Sequence, residues 1–382
     1  MRERTGWGIA TALAVIAAIV AVGGAEFFLR FSDPANMRAG WTTWTEVDPS
    51  APALSYANQL GYRGQPINTL PGDFVIVLVG DSQLECRACR DHNLPEDMLR
   101  GALAAKGRHV KVFSVGAAGY GADQELLALR RYFRMGFRAD LVIVWQTLDN
   151  DLFNAVFPNM APVFGAGKLK PTFRLAANGE LVEPSGDIGE PFCSVYLVCV
   201  YRQIRYGSMD AYFEQWLPPP VQPISAPLPN APLIDTDESI DYEKSTWALW
   251  LREPSARSRY AIALTRALYK SMSELAAGHG AGFAVLDINR MTSIALDALK
   301  SYPFFADGPK TVRRSGKLYA IGGYSTYLRT GRALNEGFPL IRVDMDIADH
   351  VASPSDGHLN ERGTGYAMKG LAAALAGRIG QR

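Results

Sequence analysis

A 382-residue chain that is 48% hydrophobic and 20% charged has the composition of an ordinary globular protein, long enough for one large domain or two modest ones. Its 39 basic and 38 acidic side chains leave a formal net charge of +1, and no basic stripe interleaved with aromatics runs through it. Nucleic-acid binding, which needs such an electrostatic footprint, is therefore set aside.

The first element is apolar. From Trp7 to Ala25 the chain reads WGIATALAVIAAIVAVGGA, without a charge. About twenty such residues at ~1.5 Å each span a bilayer core of roughly 30 Å. Arg2 and Arg4 precede the run, and Glu26 and Arg30 follow it. The expected orientation is a cytoplasmic N-terminus with the body on the periplasmic side of the inner membrane. The rival is a cleaved signal peptide, with Gly23 and Ala25 as small residues at the cleavage position. The length of the run and its helical continuation EFFLRF favour an uncleaved anchor over residues 1–31, with residues 32–382 as the body. Both readings export that body.

After a stretch without periodicity, Phe74–Val79 (FVIVLV) is a short β-branched run between Pro71-Gly72 and Gly80, the pattern of a strand buried on both faces. Cys86 and Cys89 follow; with Cys193 and Cys199 they suit an oxidising compartment. CRAC has the spacing of a redox pair or half a zinc site, but SVYLV between the other two makes a poor second half. Structural disulfides of undetermined pairing are expected. A helix is predicted over Pro95–Lys106, a strand over Val110–Val115, a turn at Gly116–Gly121, a helix over Asp123–Met135 and a strand over Asp140–Thr147. This alternation is the βαβ signature of an open doubly wound parallel sheet.

The alternation stops over residues 152–255, where Leu217–Leu233 is proline-rich and must be extended or loop. The block reads as an insertion, a lid or substrate-binding excursion, rather than a separate domain. A helix over Ser255–His279 and a strand over Gly282–Ile288 resume the pattern; residues 300–345 read as irregular, and a helix over Glu361–Ile379 closes the chain.

Ligands of parallel sheets bind at the carboxyl ends of the strands. After the first three predicted strands come Gly80-Asp81-Ser82, Gly116–Gly121 and Asp149-Asn150-Asp151, and before the last helix comes Asp356-Gly357-His358. A serine hydroxyl needs a base to become a nucleophile; His358 serves if Asp356 holds its tautomer. The backbone N–H groups of Gly119 and Ser82, with the Asn150 side chain, are candidate oxyanion donors. Ser82 alone reads as a helix N-cap, Asn150 as a turn residue, and Asp81 as a ligand of loop amides. Asp149 and Asp151 lack further clustered ligands, so no metal is expected, and no cofactor. His92, His109 and His279 read as surface or helix-end residues, and His350 ranks second to His358 as base.

These four blocks, in this order, resemble those of the SGNH/GDSL hydrolase superfamily. The likeness is closest to membrane-anchored, polysaccharide-modifying members of the acetylesterase and O-acetyltransferase kind, which carry an N-terminal helix, a GYRG-like segment (here Gly61–Gly64) and a DGHLN-like ending. It covers roughly residues 58–155 and 255–378 and leaves the proline-rich middle unmatched. It implies a three-layer α/β/α sheet of flavodoxin-like type, interrupted by an insertion at about 155–255. It further implies Ser82 as nucleophile, His358 as base, Asp356 as orienter, and Gly119 and Asn150 as oxyanion donors. Asp356 stands two residues before the histidine, where many members place the acid three before and this chain has Ser355. Asp149 replaces a common glycine. The expected substrate is an ester or acylated carbohydrate, with envelope polysaccharide machinery as partner. A non-catalytic envelope module that binds polysaccharide or assists assembly is the alternative, and a lipase-like activity a third.

Overall fold

The computed structural model describes residues 2–32, 56–148, 150–157, 172–183, 195–207, 214–215, 217–289, 308–345, 351–353, 356–377 and 379. In chain order these hold helix α1 (Arg2–Ser32), strand β1 (Phe74–Gly80), helices α2 (Ser82–Glu85) and α3 (Pro95–Ala104), strand β2 (Val110–Gly116), helix α4 (Ala122–Arg134) and strand β3 (Leu141–Gln146). The short strands β4 (Arg174–Leu175) and β5 (Leu181–Val182), helix α5 (Tyr196–Tyr206) and strand β6 (Leu233–Asp235) lie in the middle block. Helix α6 (Ala256–Gly278), strands β7 (Gly282–Asn289), β8 (Lys310–Arg314) and β9 (Lys317–Ile321), helix α7 (Tyr324–Asn335) and strand β10 (Leu340–Asp344) follow. The hairpin strands β11 (Val351–Ser353) and β12 (Asp356–Leu359) lead into helix α8 (Glu361–Leu375).

Strand β1 carries apolar residues at every position but its terminal glycine and is buried from Val75 onward, as a central parallel strand must be. It pairs in parallel with β2 on one side and β3 on the other; β7 adds to β3, and β10 forms the edge, giving the order β2–β1–β3–β7–β10. Val75, Val77 and Val79 share a core with Leu126 and Leu129 of α4 and Leu264 and Leu268 of α6. The alternate residues Ile76 and Leu78 share another with Leu99 and Leu103 of α3 and Leu371 and Leu375 of α8. Because side chains alternate across a strand, helices cover both faces of the sheet. Each fully buried aliphatic side chain contributes about 1.5–3 kcal/mol relative to exposure.

Residues of the middle block join this core. Phe157, Phe173, Ile240, Trp247 and Trp250 belong to the cluster on the α4–α6 face. Strand β6, at the end of the proline-rich stretch, pairs with β8, and β8 with β9, in a separate three-stranded sheet.

The structure corrects the expectation of irregularity over residues 300–345 from residue 308 onward; residues 300–307 lie outside the described residues. Residues 310–321 form a hairpin around Ser315-Gly316, both at positive φ (47° and 76°), the geometry that right-twisted hairpins favour. Strand β10 was illegible as a buried run because it is an edge strand. Its residues alternate exposed and buried, and Arg342 pairs with Asp287 of β7 at 3.1 Å. The last helix also ends earlier than expected, at Leu375.

Helix α1 is continuous through EFFLRF, and its stretch from Trp7 is long and apolar enough to cross a membrane. Of residues 7–32 only Glu26, Leu29 and Arg30 are partly covered.

Two contacts at the sheet's edges yield predictions. A Cβ on Gly116 would lie 2.1 Å from the Gly80 carbonyl oxygen, and backbone cannot yield as a flexible side chain does. Gly116→Ala is expected to destabilise the fold by about 3 kcal/mol or more, read from the urea midpoint. Glu96, fully buried, accepts the N–H of Gln65 and of Ser114, both at 2.6 Å. Burial nevertheless pushes its carboxyl from 4.5 up to about 7. The folded state then holds a proton that the unfolded state releases, so this contribution is complete below pH 4.5 and lost as pH rises through about 7. Urea midpoints should fall over that interval, on the order of 3 kcal/mol at most, and Glu96→Gln should flatten this part of the profile.

Candidate active site

Strand β1 connects to β2 on one side of the sheet, and the chain then crosses to β3 on the other. Such a reversal opens a crevice at the carboxyl ends of the strands. Gly80 ends β1 there, Asp81 caps the short helix α2, and Ser82 is its first residue. Ser82 is partly exposed and His358 is exposed.

The structure brings these two together. Ser82 Oγ and His358 Nε2 stand 2.8 Å apart across a separation of 276 residues, within reach for proton transfer. His358 arrives on the hairpin β11–β12, which pairs Val351 with Leu359 and Ser353 with Asp356. Asn360 then caps α8 by accepting the Gly363 N–H at 2.9 Å. Gln83, the residue after the nucleophile candidate, brackets the histidine. Its Oε1 accepts the Leu359 N–H at 3.0 Å, and its Nε2 donates to the Gly357 carbonyl at 3.4 Å. One side chain thus holds the backbone on both sides of His358 against α2.

Asp81 is completely buried. Its Oδ1 accepts the Gln83 N–H at 2.9 Å and the Thr147 hydroxyl at 3.0 Å, and its Oδ2 accepts from Asn150 Nδ2 at 2.5 Å. The loop-amide role expected of Asp81 is present, extended to the end of β3. Asn150 opens a π-helical turn, Asn150–Asn154, and its side chain turns toward Asp81. Gly119, at φ 75°, occupies the third position of the turn closed by the Tyr120 N–H to the Ala117 carbonyl, 3.2 Å. That sign of φ favours glycine. The Gly119 carbonyl accepts from Asn154 Nδ2 at 2.9 Å, tying the second block to the third. Asp356 lies in β12; its side chain, with Asp149, His350 and Ser355, lies outside the described residues.

A collar of further residues supports this edge. Arg63 of GYRG donates to the carbonyls of Glu85, Cys86 and Cys89 and pairs with Asp91 at 2.8 Å. It grips the loop that the Cys86–Cys89 disulfide closes. Buried Glu85 accepts the Ala118 N–H at 2.6 Å, fixing α2 to the glycine turn. The sequence signalled this collar only through the GYRG segment and the expectation of disulfides; Glu85 and Asp91 carried no signal. Deeper in the core, Asp151 accepts the Thr147 N–H at 2.9 Å and the Tyr269 hydroxyl at 2.8 Å. Beside it, burial first and then the charges of Asp151, Asp81 and Asp123 push Glu125 well above the usual carboxylate range. Of the other histidines, His92 packs against Tyr56 and His279 stacks on Phe133, with ring centroids 4.3 and 4.1 Å apart.

No protein-family model matches the chain, and no curated protein matches it. Seven chains of solved structures match. One is a putative arylesterase from Agrobacterium tumefaciens str. C58, 16% identical, with 80% of this chain and 99% of that one covered at a TM-score of 0.34.

Replacing Asp81 by Asn would set an amide donor against one of three donors. Asp81→Asn should cost about 1–3 kcal/mol in urea unfolding, with an unchanged far-UV dichroism spectrum.

Proposed function

We propose that the chain is a serine ester enzyme of SGNH type, with its three-layer fold, acting on O-acyl groups, acetyl foremost, of carbohydrate. It works as a hydrolase or an acyltransferase from the periplasmic side of the inner membrane, held there by α1. The observation that carries the reading is the 2.8 Å contact between Ser82 Oγ and His358 Nε2, formed at the switch point of a parallel sheet.

In this reading His358 Nε2 takes the Ser82 hydroxyl proton as Oγ attacks the acyl carbon. The N–H groups of Ser82 and Gly119 and the Asn150 side chain meet the developing oxyanion. An amide nitrogen carries two hydrogens; Asp81 holds one of those on Asn150 and so aims the other. His358 returns the proton to the leaving alkoxide, and the acyl group remains on Ser82. Water or a sugar hydroxyl, deprotonated in turn by His358, then takes the acyl group and restores the serine. Asp356 is the assigned orienter, two residues before His358 in the same strand, the spacing at which strand residues share a face. Gln83 is a positioning residue that acts through the backbone around His358.

Ser82→Ala and His358→Ala should each lower turnover of a chromogenic acetyl ester by about a thousand-fold or more, and the double variant should lose no more than either. A fluorophosphonate probe should label the unaltered chain and spare Ser82→Ala. Equal turnover by the unaltered chain and Ser82→Ala would defeat the proposal, leaving a non-catalytic envelope module as the reading to pursue.

A further inference from the structure

We infer that α5 is an interfacial helix, lying in the boundary layer of the membrane that α1 crosses and seating the body against it; this rests on reading α1 as a membrane span.

Helix α5, YLVCVYRQIRY, covers little of itself against the protein. Only Tyr196 and Cys199 are buried, while Val198, Tyr201 and Ile204 are 42%, 63% and 77% exposed. Water does not favour such a face, and an exposed apolar patch marks an interaction surface. On α1, Phe27, Phe28 and Phe31 are likewise 73%, 65% and 84% exposed.

What identifies the occupant as lipid is where α5 is fastened. Glu26 is the first charged residue after the apolar run, at the depth where a spanning helix leaves the hydrocarbon. Its carboxylate accepts the N–H groups of Tyr196 and Leu197, at 2.9 and 3.0 Å, satisfying the free donors at the start of α5. Arg30 completes the joint, bonded to Glu26 at 2.7 Å with its guanidinium over the Tyr196 ring. Glu26, Leu29 and Arg30 are the partly covered residues among 7–32 of α1, so this joint accounts for the covered face there. A helix that starts at the membrane boundary, with tyrosines, aliphatics and Arg205, has the composition of the interfacial layer. Tyrosine rings sit at headgroup level, and arginine stems lie along apolar surface while their guanidinium groups reach phosphate.

The test uses the full chain in vesicles of phosphatidylethanolamine and phosphatidylglycerol. An environment-sensitive fluorophore is attached to Ile204→Cys, Leu13→Cys or Glu274→Cys; no described native cysteine is free to compete. Nitroxide lipids carry their quencher near the headgroup or deep in the acyl chain. The expected result is a blue-shifted emission at 204 quenched by the shallow nitroxide, deep quenching at 13, and neither effect at 274. A water-like, unquenched label at 204 with deep quenching at 13 overturns the interfacial helix and leaves the span intact. A blue-shifted label at 204 that neither nitroxide quenches means a protein covers the face, and also overturns it. Absence of deep quenching at 13 removes the span and the inference with it.

Discussion

A single buried carboxylate, Asp81, holds the candidate site together. Charge without water is costly unless hydrogen bonds replace the lost hydration. Asp81 obtains them from the N–H of Gln83, the hydroxyl of Thr147 and the amide of Asn150. Those donors belong to α2, the end of β3 and the π-helical turn, so satisfying one group fixes three segments. Burial first, and then this charge with those of Asp151 and Asp123, pushes the carboxyl of neighbouring Glu125 well above the usual carboxylate range.

Around this point the topology does the placing. Paired strand ends Gly80 and Gly116 allow backbone approach where side chains would intrude, and the crevice between β1 and β3 lies directly beyond. The histidine is carried in by a two-stranded hairpin that is not part of the main sheet. Its register there depends on Gln83, which reads the backbone on both sides of His358.

Much of the sheet was legible because β1, β2, β3 and β7 are apolar runs with few alternatives, and their flanking helices are regular. Ser82, Gly119 and Asn150 were legible as types of residue at strand ends and His358 as one just before the last helix, and Ser82 and His358 meet. Strand β10 and helix α7 were not, because an edge strand alternates and carries Arg342 for a partner on β7. Gln83, Thr147, Glu85 and Arg63 escaped for a different reason. Their meaning lies in backbone groups that they reach elsewhere in the chain, and a hydrogen bond to a carbonyl leaves no trace in the partner's identity.

The separation of 276 residues between Ser82 and His358 has a bearing on the order of events in the making of the protein. A chain emerging from its N-terminus presents the serine early, with the glycine turn and the asparagine close behind. His358 belongs to the much later hairpin β11–β12, and the Gln83 side chain meets the backbone beside it only when that hairpin folds back. A chain made only as far as its sheet therefore lacks the Ser82–His358 contact, which waits on the β11–β12 hairpin however well that sheet has formed.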